Sequence, residues 1–281
     1  MTNSPRSWVD SARSLKYQAV ERSRLATIAA VDLLRRGSRT VITPPDGGLR
    51  FGNLLYLWLQ AHQRSASQGA AVVRWVPAMD LWLDEFPVLR TVTVSPDKVR
   101  FSDRRSWDAD WLFQRFGIDF DRSSLDAFVT YALSRHIPLL DPDSVVLNIR
   151  RGDYYTDFAD KYAFDQAAYV DAALERIGGA PRVIVVSDDQ RWCRLNLDTV
   201  VRAHAQTVEY ATPDPVENFR TLAGSRRIIG TNSTFSYWGA YAAGAMRNDT
   251  QIVMPAFHAR MAHGTAAHQL DPQWIALSGF H

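Results

Sequence analysis

The chain has 281 residues, 46% of them hydrophobic and 22% charged, with a formal net charge of +2. Such a composition describes a folded protein with a sizeable core and room for one large or two moderate domains. The near-balanced, dispersed charge excludes a general nucleic-acid binder, which needs a concentrated basic face.

In chain order, residues 10–36 predict a helix, with Leu15, Ala19, Leu25 and Ile28 among polar positions and Gly37 as the stop. TVIT predicts a short strand before the PPDGG turn, and the breaker-free NLLYLWLQA predicts a helix over 52–66. AAVVRWV (70–76) and TVTVS (91–95) predict two more strands. Residues 97–140 give no clear alternation; Trp107, Trp111, Phe113 and Phe116 suggest helical packing, and Pro138, Asp141 and Pro142 mark a boundary. From there the pattern is regular. Strand SVVLNI precedes a helix over 164–177, and RVIVVS (182–187) leads to helical QRWCRLNL. TVEY (207–210) leads to VENFRTLAG, RRIIG (226–230) to TFSYWGAYAAGAM, and QIVMP (251–255) to a tail whose histidines at 258, 263 and 268 suit a loop. Alternation at this spacing predicts βαβ units and mainly parallel sheets. We expect an α/β chain of two halves, 1–140 and 141–281, facing a cleft, with ligands at the carboxyl ends of the strands.

Cys193 is the only cysteine, so no internal disulfide can form. MTNSPRSWVD carries no apolar run of signal-peptide type, and no window approaches a membrane span. The expectation is a cytoplasmic protein, soluble or at most peripheral to a membrane. Only Lys16, Lys98 and Lys161 are lysines, which leaves 29 arginines among the 32 basic residues. Arginine is the better two-pronged partner for phosphate or carboxylate.

Four strand ends carry the polar residues that matter. In DGGLRFGN (46–53), Gly52 and Asn53 stand where a helix begins, as a turn and cap or as a close approach to a ligand. Arg150, Arg151, Gly152, Asp153 and Tyr154 close the strand SVVLNI; one guanidinium suits a diphosphate, with Asp153 orienting an arginine from behind. In SDD (187–189), Ser187 suits a helix cap, and Asp188 or Asp189 suits a base or ribose. In GTNSTFSYWGA (230–240), Ser233, Thr234 and Ser236 open a helix, where free N–H groups favour an anion. Phe235 and Trp238 suit interface packing. No HExxH, clustered cysteines or GxSxG points to metal or serine chemistry.

NIRRGDY, VIVVSDDQRWCRLNL and IIGTNSTFSYWGA, in that order, resemble the bacterial and animal α-1,2-fucosyltransferases of glycosyltransferase family 11. The resemblance runs from about Asp46 to Pro255 and is strongest in the second half. It implies a GT-B fold, two Rossmann-like α/β domains around a central cleft, with 1–140 on the acceptor side and 141–281 binding the nucleotide sugar. It also implies GDP-β-L-fucose as donor, no required metal ion or other cofactor, and inverting transfer to a glycan hydroxyl, commonly of galactose. By the same resemblance Arg151 binds the donor diphosphate and Arg150 supports it or touches nucleotide. Asp153 holds the arginine loop, and Ser233, Thr234, Phe235 and Ser236 bind phosphate or nucleotide. RFGN resembles the related protein O-fucosyltransferases and places Asn53 near the leaving phosphate. Asp46, in the turn facing the cleft, is the candidate carboxylate base. The chain departs from the family pattern at Asn148, where a histidine is usual, and at Leu54, Thr234 and Tyr237. Those changes leave two alternatives to fucose transfer: another GDP-linked hexose as donor, or a non-catalytic nucleotide- or glycan-binding protein.

Overall fold

The computed structural model describes residues 31, 33–45, 49–106, 113–262 and 264–281. Almost all of the helix expected over 10–36 lies outside them, as do Asp46, Trp107, Trp111 and His263.

Four short strands make the first sheet: β1 (Thr40–Ile42), β2 (Ala71–Arg74), β3 (Thr93–Val94) and β4 (Arg104–Ser106). They are all parallel, in the order β3-β2-β1-β4. The strand β4 had no signature in the sequence, because Arg-Arg-Ser offers no apolar alternation; it is an edge held by backbone pairing to β1. Helix α1 (Phe51–Ser67) follows the first turn, and the short α2 (Asp80–Glu85) follows β2. Leu54, Leu55, Trp58 and Leu59 of α1 are all buried, because the helix is covered by its own sheet and by the second half of the chain.

Helix α3 (Arg122–Ala132) joins the halves, capped by Asp121, whose carboxylate accepts from the Ser124 amide. Leu125, Phe128, Val129 and Ala132 give it one buried stripe. The second sheet contains β5 (Val145–Ile149), β6 (Ala180–Ser187), β7 (Ala205–Tyr210), β8 (Arg227–Ile229), β9 (Gln251–Pro255) and β12 (Ile275–Leu277). Its order is β12-β9-β8-β5-β6-β7, parallel throughout. Between these strands run α4 (Gly152–Thr156), α5 (Ala159–Tyr162), α6 (Gln166–Ile177), α7 (Gln190–Asn196), α8 (Asp198–His204), α9 (Pro215–Ala223) and α10 (Thr234–Met246). The tail is not the expected loop: β10 (Phe257–Met261) and β11 (Gly264–Ala266) form an antiparallel hairpin, with His258 on β10.

Helix α10 cements the halves together. It is apolar almost all round, and Trp238 meets the Tyr56 ring of α1 at 5.1 Å and the Phe128 ring of α3 at 5.8 Å. One continuous core therefore runs from α1 through α10 to Val146, Ile184 and Ile228 on one face of the second sheet. The other face is covered by Tyr169, Val170 and Leu174 of α6. Each such buried side chain stabilises the fold by roughly 1.5–3 kcal/mol. An ion pair from Arg220 of α9 to Glu85 of α2, at 2.7 Å, also spans the halves. Two parallel α/β sheets facing one cleft are the GT-B-type architecture expected from the sequence.

Candidate functional site

A cleft of about 830 Å³ lies between the sheets, lined from the first half by the start of α1 and the start of α2, and from the second by the carboxyl ends of β5 and β6 and the start of α10. Strand β5 delivers Arg150 to it. The guanidinium is 14% exposed and bonded to two carboxylates, Asp153 and Asp188. The Arg150 amide donates to Thr231 Oγ1 (3.1 Å), and its carbonyl accepts from Gln166 Nε2 (2.8 Å). Gly152 makes this possible: its φ is +29°, and a Cβ there would lie 2.6 Å from Asp188 Oδ2. Asp153 also accepts from Arg50 Nη2 at 3.3 Å, so a carboxylate of the second half holds cations from both halves.

Arg151 was expected on the donor diphosphate, yet its guanidinium does not line the cleft. It lies 3.5 Å from the ring centre of Tyr155 and 3.9 Å from that of Trp192, sandwiched between them. Its amide donates to Asp188 Oδ1 at 2.8 Å. Both residues lie just past the end of β5, and their side-chain contacts, two carboxylates for one and two aromatic rings for the other, put only one of them in the cleft. That one is Arg150.

Ser233 caps α10, its Oγ accepting from the Phe235 amide at 3.3 Å, and Ser233, Thr234 and Phe235 all line the cleft. Ser236 does not: it is fully buried, donates to Asn148 Oδ1 (2.6 Å) and accepts from the Thr231 amide (3.2 Å). It clamps the β5 end to the loop before α10. Asn148 reaches the cleft from β5, and Asn53 from the first turn of α1, where its Oδ1 accepts from Gln114 at 3.3 Å. A Cβ on Gly52 would sit 2.5 Å from Thr234 Oγ1, so only glycine lets the starts of α1 and α10 meet. Two helix N-termini thus converge on one cleft, each favouring negative charge.

Asp188 lines the cleft, whereas Asp189 caps α7 through the Trp192 amide (2.9 Å). The cap expected of Ser187 belongs to that aspartate; the Ser187 Oγ instead accepts from the Asp189 amide at 2.9 Å. Cys193 is buried, which pushes its thiol up to about 11 and leaves it inert at neutral pH. Burial likewise pushes the His258 imidazole down to about 4; its Nδ1 lies 3.1 Å from the Tyr237 hydroxyl. Among the described residues no cluster of three or more His, Cys, Asp or Glu is arranged to hold a metal ion. No helix among them is long and apolar enough to cross a membrane. Tyr154, singled out in the sequence at the end of β5, also lines the cleft, and so do Arg50, Phe158, Lys161 and Tyr162, which were not singled out. Arg50 had a signal, since it opens the RFGN stretch; the aromatic residues had none beyond their proximity to the arginine pair.

The paired parallel sheets with a cleft at their seam form a scaffold of the GT-B type. Residues 133–278 match the model of glycosyl transferase family 11, more than half of the 281-residue chain, and the chain belongs to that family. It is 27% identical over 140 residues to the galactoside 2-alpha-L-fucosyltransferase SEC1 of Bos taurus, covering 48% of this chain and 38% of that protein. It is 30% identical over 105 residues to the galactoside alpha-(1,2)-fucosyltransferase 1 of Sus scrofa, covering 36% of this chain and 29% of that protein. The chain thus matches less than two fifths of the length of these relatives. Among solved structures, POFUT1 in complex with GDP superposes with a TM-score of 0.40 at 11% identity, over 77% of this chain and 98% of that one. The E. coli heptosyltransferase WaaC with ADP gives 0.39 at 10% identity, over 85% and 90%.

Proposed function

We propose that the chain is an inverting glycosyltransferase that moves fucose from GDP-β-L-fucose to a glycan hydroxyl, in α-1,2 linkage to a galactose-type sugar, without a metal ion. The observation that carries this reading is Arg150, an oriented guanidinium in a cleft that two helix N-termini also line. Family membership supports it, and so do the names of the matched fucosyltransferases.

In this reading the donor diphosphate lies against Arg150 and the start of α10. The flat purine occupies the apolar end made by Leu81, Trp82, Pro213 and Pro215. Asp188 and Asp153 keep the guanidinium oriented before substrate arrives. As the anomeric C–O bond stretches, charge grows on the β-phosphate, and preorganised donors stabilise it without further rearrangement. Arg150 supplies the charge; the Ser233 and Thr234 hydroxyls and the Asn53 amide add neutral donors. Losing one such donor costs about 3–4 kcal/mol of transition-state stabilisation. The acceptor hydroxyl attacks from the opposite face, and its proton passes to a carboxylate. Asp153 is committed to Arg150 and Arg50. Asp46, outside the described residues but three before the cleft-lining Leu49, keeps the proton-acceptor role in this proposal. Asn148 cannot take a proton at neutral pH; its work is the clamp to Ser236.

A donor-by-acceptor screen read by mass spectrometry, with chelator present, tests the proposal. GDP-fucose with a β-galactoside should give a product heavier by one deoxyhexose. Transfer from GDP-mannose alone would replace fucose with another GDP-hexose. Nucleotide binding without transfer to any acceptor would leave a binding protein.

A further inference from the structure

Arg150 divides the cleft into two chemically different ends. Following the sheet order from β5 to β6 and β7, the lining passes Asp188 and reaches Pro213 and Pro215, the end given to the purine above. Toward β8 and the β10 hairpin the lining is instead Tyr154, Phe158, Lys161 and Tyr162. Helix α5 packs against β10, and the Tyr162 carbonyl accepts from Asn232 Nδ2 at 2.9 Å, just after β8. Tyr154 and Tyr162 stack with ring centres 4.1 Å apart, and Phe158 meets Tyr162 edge-on at 6.4 Å. Phe158 is 48% exposed, an apolar ring left open to the cleft.

We propose that this end is the acceptor subsite and that it takes an acidic pyranose, stacked on Phe158 with its carboxylate at Lys161. The inference rests on the GDP-sugar reading above and adds the acceptor class. The negative face of an aromatic ring attracts the weakly positive axial C–H groups of a sugar, so an exposed phenyl ring beside a diphosphate site suits a pyranose. Charge narrows the choice. Arg150 is already balanced by Asp153 and Asp188, and Asp153 also holds Arg50. Among the described residues the Lys161 amine has no carboxylate within ion-pair distance; it sits 5.0 Å from the Tyr162 ring centre. Asp157 and Asp160, its neighbours in the chain, do not line the cleft. Among the described residues, a diphosphate bound at Arg150 leaves this amine as the unbalanced cation at the acceptor end. The floor of the acceptor site then belongs to the second half of the chain, not to the first as the sequence suggested.

Ligand-observed NMR on the GDP-saturated protein tests this, using methyl β-galactoside and methyl β-glucoside against their uronic acid twins, which differ only at C6. At least one acid should bind about tenfold more tightly than its neutral twin, the range of one charge-assisted hydrogen bond. Lys161→Met should erase that preference, and Phe158→Ala should weaken both members of the pair. Both side chains are exposed, so GDP affinity should be unchanged in either variant and serves as the folding control. Equal binding of acid and neutral twins, no binding of any of the four, or a preference that survives Lys161→Met would overturn the inference. Failure of the wild-type chain to bind GDP would instead remove the donor reading, and the acceptor assignment with it.

Discussion

Replacing Arg150 and Arg151 separately by alanine separates two roles that the sequence presents as one pair. Arg150 is 14% exposed and bridges Asp153 and Asp188. Its loss leaves neither carboxylate wholly alone, because Asp153 keeps Arg50 at 3.3 Å and Asp188 keeps the Arg151 amide at 2.8 Å. The stability cost should therefore stay near 1–2 kcal/mol, below the 3–5 kcal/mol of a fully buried pair broken on one side. Turnover should suffer far more. A charged donor to the leaving phosphate is worth about 3–4 kcal/mol, so kcat should fall about 10²- to 10³-fold. Arg151→Ala should show the opposite balance. It removes two cation–π contacts, to Tyr155 and Trp192, worth about 0.5–2 kcal/mol each, and should lower the melting temperature by several degrees. Its kcat should change less than tenfold. The assay is initial-rate transfer from the donor with thermal unfolding of the same preparations. A larger kcat loss in Arg151→Ala than in Arg150→Ala would refute the assignment made from the side-chain directions.

Three further outcomes follow from the same geometry. Gly152→Ala places a Cβ 2.6 Å from Asp188 Oδ2 at a φ of +29°, so it should cost about 1–3 kcal/mol and weaken GDP binding at least tenfold by calorimetry. Ser236→Ala leaves Asn148 Oδ1 and the Thr231 amide without their buried partner, and should lower the denaturant midpoint by the equivalent of about 1–3 kcal/mol while GDP still binds. His258 is pushed down to about 4 by burial, so between that value and the usual 6.5 the unfolded chain binds more protons than the folded one. Its contribution to stability is complete above pH 6.5 and is lost as pH falls toward 4, up to about 3 kcal/mol. His258→Asn, whose Oδ1 can replace the imidazole Nδ1 toward Tyr237, should flatten the loss between pH 7 and 5 in urea titrations; an unchanged slope would exclude His258 as its source.

The second sheet was readable because β5, β6 and β9 are apolar runs, and α6 and α10 sit between clear breakers. The strand β4 was not, since its place depends on backbone pairing with β1 rather than on any alternation of its own. Helix α3 had a usable stripe in Leu125, Phe128, Val129 and Ala132, which the surrounding aromatic residues obscured. The two arginines were visible as a pair, but which one faces the cleft is decided by Asp188, 38 residues from Arg150, and by the Tyr155–Trp192 sandwich around Arg151. Likewise the hydroxyl run at 233–236 read as one anion site. Burial splits it: Ser233 and Thr234 line the cleft, while Ser236 is spent on Asn148. The aromatic end of the cleft depends on how α4 and α5 pack on each other and on β10, which no local pattern encodes.

Isothermal titration of the metal-free wild-type chain with GDP, UDP, CDP and ADP tests the donor reading most directly. Saturable binding of GDP, at least tenfold tighter than the other three and weakened by Arg150→Ala, is the predicted result. Heat of binding from none of the four, or equal affinity for all with Arg150→Ala indistinguishable from wild type, would contradict it.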